Sequence, residues 1–66
     1  MINWQMLVLK LRKHKSIRQI AIELEMDGQG LQKLSRGVMK EPKFSAGVKL
    51  LDYYYDVYGN MEGVVL

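Results

Sequence analysis

Gln29, Gln32 and Lys33 are three long polar side chains close together in the run GQGLQKLSRG. At helical spacing they lie opposite Leu31 and Leu34, so a short helix here turns its leucines inward and its polar ends out. Glutamine presents a donor beside an acceptor, and lysine presents three donors. Such groups on a narrow helix are what a helix inserted into a DNA major groove needs. The bland alternative is a solvated helix face. Catalytic chemistry has less to work with. There is no cysteine, His14 stands alone in a cationic run, the acids are scattered, and DGQG is too short for a phosphate-binding glycine loop. An enzyme is not expected, and neither is a metal site or a cofactor.

Positioning these side chains takes two short helices. Ser16-x-x-Gln19 is a start signal in which Ser16 accepts from the backbone three residues on and Gln19 reaches back. Ile17, Ile20, Ala21 and Leu24 follow as one apolar stripe. Asp27-Gly28 breaks the run, Asp27 is a good N-cap for a second helix, and Gly37 stops it. Upstream, Asn3 caps a helix expected to run to about Lys13, with Trp4, Leu7, Val8 and Leu11 inward. Downstream, Pro42 marks a boundary. A fourth helix from about Lys43 to Tyr58 then places Phe44, Val48, Leu51 and Tyr55 on an apolar stripe, widened by Gly47, Leu50, Tyr54 and Tyr58. Gly47 inside it implies a close approach by a neighbour, since glycine there costs about 1 kcal/mol.

Charge is unevenly spread. Residues 1–49 hold all ten Lys and Arg against four acids, a net +6, and residues 50–66 hold three acids and no base, a net −3. One basic side suits contact with a polyanion. The densest cluster, Lys10 to Lys15, sits where a helix C-terminus favours cations anyway. Arg18 opposes the dipole of the helix it opens, and a nearby phosphate would reverse that penalty. The 66 residues point to one small all-α domain, of a size that often gains stability by pairing. No signal peptide or membrane-spanning run is recognisable, so the expected location is the cytoplasm and no membrane partner is expected. Tyr53, Tyr54 and Tyr55 cannot all face one core. Val64, Val65 and Leu66 are too apolar for a free end. They either pack on the chain's own core or pair with a second copy. A homodimer interface of Tyr54, Tyr58, Val64, Val65 and Leu66 is therefore expected.

The chain resembles the helix-turn-helix domain of phage Cro/C-type repressors, the Xre-like family, over roughly residues 3–59. The resemblance is carried by Ile20-Ala21, Leu24, Met26, Leu31, Leu34 and Ser35-Arg36-Gly37, then by PKFSAGVKLLDYY as the final helix. It implies a compact four-helix, lambda-repressor-like fold with a short apolar tail. It departs at Glu25, where the turn usually has glycine, which requires a left-handed backbone or a shifted turn. Gly28 and Gly30 replace the usual Ser, Gln or Thr, and Ile17 replaces a common Gln. Carried over residue by residue, the resemblance implies that Gln29, Gln32 and Lys33 face base edges. It implies that Ser16, Arg18, the Gly28 amide, Arg36, Lys40 and, more weakly, Lys43 bind phosphates, which fix register and not sequence.

The expected function is a sequence-specific double-stranded DNA-binding transcription regulator, a Cro-like repressor of phage or mobile-element type acting as a homodimer on a palindromic operator. With no room for a ligand-sensing domain, no small-molecule ligand is expected, and control rests on protein concentration. The alternative is an antitoxin or protein-interaction module whose tyrosine-rich helix and apolar tail bind a partner protein.

Overall fold

The caps that the sequence advertises begin the elements. In the computed structural model, which describes residues 1–65, Asn3 Oδ1 accepts from the Met6 amide at 3.1 Å and opens α1, Trp4–Leu11. Ser16 Oγ accepts from the Gln19 amide at 3.1 Å and opens α2, Ile17–Leu24. The return bond from the Gln19 side chain is not made among the described residues. Asp27 Oδ1 accepts from the Gln29 amide at 3.0 Å and opens α3, Gly28–Ser35. Lys43, extended at φ −61° and ψ 156°, precedes α4, Phe44–Tyr58, without a side-chain cap. The first helix ends two residues short of the expected Lys13, because residues 12–14 tighten into turns with the Lys13 amide bonded to the Lys10 carbonyl. Among the described residues the chain is all-helical, with one isolated antiparallel bridge, Ile2 to Val65.

Left-handed backbone ends the last three helices. Gly59 closes α4 at φ +75°. Gly37 has φ +76°, and the Val38 amide reaches the Lys33 carbonyl while the Gly37 amide reaches the Leu34 carbonyl, a glycine-stopped Schellman end to α3. Glu25 ends α2 at φ +54°, so the turn keeps its place and the residue bears the strain. A side chain in that conformation costs about 1–2 kcal/mol. Glu25→Gly removes this cost, partly offset by the extra freedom of glycine in the unfolded chain. The expected net gain is about 0.5–1 kcal/mol, a rise in Tm of roughly 2–8 °C in a thermal melt. An unchanged or lower Tm would show that Glu25 is not strained.

The core is built from the inward stripes. Leu7, Val8 and Leu11 of α1, Ile17, Ile20 and Ala21 of α2, and Leu31 and Leu34 of α3 are buried together with Leu50 and Tyr54 of α4 and Val64 of the tail. Helix α3 packs against both α1 and α2, and Gln5 of α1 donates to the Ser35 carbonyl at 3.2 Å, holding the end of α3 in place. The whole fits within 25 × 22 × 21 Å.

Helix α4 is rotated from its expected orientation. Gly47, Leu50 and Tyr54 face the core, whereas Phe44, Val48 and Tyr55 are exposed and Leu51 is half-buried. The reason is one tertiary contact. A Cβ at residue 47 would stand 3.3 Å from Trp4 Cη2 and 3.5 Å from Pro42 Cγ, so the indole packs closely on the glycine and pulls that side of the helix in. Tyr54, stacked on Tyr58 at 4.5 Å between ring centroids, is carried inward with it. Its hydroxyl is buried and has no hydrogen-bond partner among the described residues, a cost of about 1–3 kcal/mol that the aromatic packing offsets.

Two residues of the expected dimer surface are buried within the chain itself. Tyr54 and Val64 are 0% exposed inside the chain and cannot meet a second copy. Tyr58 is half-buried and bonded inward. The Asn3 amide donates to the Val64 carbonyl at 2.6 Å, so the tail closes on the chain's own first residues. Val65 remains exposed, and Leu66 lies outside the described residues.

Candidate nucleic-acid interface

The break at Glu25–Asp27 sets α3 beside α2 and leaves an open groove of about 790 Å³ between their outer faces. Arg18 and Ile22 line it from α2, Gly28, Gln29, Gln32 and Lys33 from α3, and Arg36 from the cap of α3. Gln29, Gln32, Lys33, Arg18 and Arg36 are all exposed. All three residues assigned to base edges are thus brought together with Arg18, Gly28 and Arg36. The one acid in the groove, Asp27, is engaged by the cap of α3, which leaves three cations around its polar side.

The remaining phosphate candidates lie elsewhere. Ser16 is exposed, and its hydroxyl oxygen already caps α2. Lys40 is exposed on the loop after α3. Lys43 lines a neighbouring hollow with Gly30, Leu34, Met39 and Lys49, which adjoins the groove at Met26 and Asp27. None of these three lines the groove in which Gln29 and Lys33 stand.

The basic run Lys10–Lys15 does not line the groove either, and half of it serves the fold. The Tyr58 hydroxyl donates to the Lys10 carbonyl at 2.8 Å. With its proton so placed, it accepts from His14 Nε2–H at 3.0 Å, and the two rings meet edge to face. Lys10 Nζ lies 5.8 Å from the Tyr58 ring centroid and donates to the Glu62 carbonyl at 3.4 Å. Lys15 bonds both Glu23 carboxylate oxygens, at 2.8 and 2.9 Å, and lies over the Tyr53 ring. The Glu23 carboxylate, followed by the Tyr53 hydroxyl, holds the Lys15 ammonium above its ordinary pKa.

Two features of the groove go beyond the expected site residues. Ile22 is 66% exposed on its α2 side, with Ile17, Ala21 and Met26 forming an apolar floor beneath. The signal was present, since Ile22 falls off the Ile17–Ile20–Ala21–Leu24 stripe of an otherwise amphipathic helix. The second is that packing requires neither glycine of α3. A Cβ at Gly28 would make an ordinary 3.8 Å contact with Ala21 Cβ, and one at Gly30 would meet nothing within 4 Å. Gly28 lines the groove from the first turn of α3, at the positive end of the helix dipole.

No family model, curated protein or solved structure matches the chain. Among the described residues no helix is long and apolar enough to cross a membrane.

Proposed function

We propose that the chain is a sequence-specific double-stranded DNA-binding transcription regulator of the Cro/C-type kind, with α2 and α3 as its helix-turn-helix and α3 as the helix that enters the major groove. The observation that supports this most is the single exposed groove in which Gln29, Gln32 and Lys33 stand beside Arg18 and Arg36. Glutamine bonds the adenine edge bidentately and lysine donates to guanine. Arg18 and Arg36 flank the helix as phosphate clamps, and the Gly28 amide at the α3 N-terminus is a third phosphate donor. Ile22 beside them suits an apolar contact such as a thymine methyl. The regulator acts as a homodimer on a palindromic site, with half-sites about 34–36 Å apart on one face of the duplex.

Selection of bound duplexes from a random pool at moderate salt, followed by sequencing, tests the reading. An enriched palindrome supports the dimeric regulator, and a single short enriched site supports a monomeric reader. Binding without enrichment leaves only backbone contact. Absence of binding overturns the reading and favours the protein-interaction module, with the exposed residues of α4 as its contact surface.

Arg36→Ala is expected to lower the salt slope of binding by about one, because one fewer counterion is released. A titration of affinity against salt checks it, and an unchanged slope removes Arg36 from the phosphate set.

A further inference from the structure

Ile22 is the one large apolar side chain that α2 and α3 leave exposed among the described residues. A single exposed isoleucine is ordinary on a solvated helix. This one has polar company. It lies one turn from Arg18 on α2 and lines the same groove as Gln29, Gln32, Lys33 and Arg36. Ala21 and Met26 add apolar surface to that groove, and Gly28 lines it without a side chain. The backbone of Gly28 is helical and outside the left-handed region that favours glycine. A Cβ there would make only an ordinary 3.8 Å contact with Ala21 Cβ. Neither conformation nor packing accounts for glycine at this position. A side chain would, however, take up space in the groove beside Ala21.

We infer that the apolar part of the groove, lined by Ala21, Ile22, Met26 and Gly28, receives the 5-methyl group of a thymine, an assignment that rests on the DNA-binding reading. The charge around it selects the occupant. Arg18, Lys33 and Arg36 draw a polyanion to the groove. The apolar group that a base pair presents at its major-groove edge is the thymine methyl. Ala21 fixes where in the site that thymine lies. It precedes Ile22 and stands against Gly28, which precedes Gln29. The thymine is therefore at, or next to, the base pair that Gln29 reads. Ile22 adds a discrimination that hydrogen bonding cannot supply, because uracil offers the same O4 acceptor as thymine and lacks only the methyl.

Replacing each thymine of the selected site by uracil, one position at a time, tests this in competition binding. The wild type is expected to bind about fourfold more weakly with uracil at one thymine of each half-site, the equivalent of one buried methyl group. That thymine lies at or beside the position whose preference Gln29→Ala relaxes. Ile22→Ala is expected to abolish the thymine–uracil difference with its helical circular dichroism intact, since Ile22 is exposed. Lys33→Ala weakens binding through a different contact and keeps the difference. Gly28→Ala occupies the space and shrinks the difference without lowering Tm. Uracil duplexes that all bind as tightly as the parent overturn the inference and leave the DNA-binding reading standing. So does a uracil effect of equal size in the wild type and in Ile22→Ala. An undiminished difference in Gly28→Ala overturns the part given to Gly28. Selection that enriches no site overturns the sequence-specific reading itself, and the methyl contact with it.

Discussion

Gln29→Ala is expected to reduce the preference for the selected site over mismatched duplexes by about 5- to 150-fold, the equivalent of about 1–3 kcal/mol for one good bidentate base contact. Affinity for random duplex should hardly move. Gln29 is uncharged, so its loss releases no fewer counterions. Its side chain is exposed, and the cap of α3 depends on its backbone amide and not on that side chain. Helix α3 is therefore expected to survive the substitution, and any change reports on recognition. Lys33→Ala should show the same loss of discrimination together with a salt slope lowered by about one. Competition binding with the enriched site and with single-mismatch duplexes measures both. An equal loss on every duplex would return these side chains to the status of a solvated helix face.

Deleting residues 64–66 is expected to unfold the protein more than to dissociate it. Val64 is fully buried, and its carbonyl accepts from the Asn3 amide at 2.6 Å. Lost burial of a valine side chain costs about 1.5–3 kcal/mol and the lost hydrogen bond about 1 kcal/mol. A core of this size rarely supplies more than about 3–5 kcal/mol, so most of the stability goes with the tail. Thermal melts at several protein concentrations distinguish the two roles. A fall in Tm at every concentration fits a tail that belongs to the core, whereas a fall only on dilution would place the tail between subunits.

Local signals carried the sequence reading furthest. Asn3, Ser16 and Asp27 cap the helices they were expected to cap, and Gly37 and Gly59 end theirs in left-handed backbone. Each of these depends on a side chain and an amide two or three residues away, or on one residue's φ, so nothing distant can override it. The gathering of Gln29, Gln32 and Lys33 was legible for the same reason, because helical spacing alone puts them opposite Leu31 and Leu34. The orientation of α4 was not legible. Its sequence contains two apolar stripes, one through Phe44, Val48, Leu51 and Tyr55 and one through Gly47, Leu50, Tyr54 and Tyr58, and periodicity cannot rank them. Trp4, far earlier in the chain, decides the matter by packing on Gly47. Lys40 and Lys43 were similarly open, since a loop's path is not set by periodicity. The partners of Lys10, His14 and Lys15 were not legible either, since the tyrosines and glutamate that engage them are distant in sequence or on another helix.

The bridge between Ile2 and Val65 gives the molecule a common doorway. Both ends of the described chain leave from one spot, held together by backbone pairing, and no residue near either end lines the groove of α2 and α3. Cargo fused to either end would emerge at that spot without crossing the groove. A short tether joining residue 65 back to residue 2 would close the chain into a ring with little distortion. The fold could then be opened at a different loop, such as residues 38–42, and remain the same object in space.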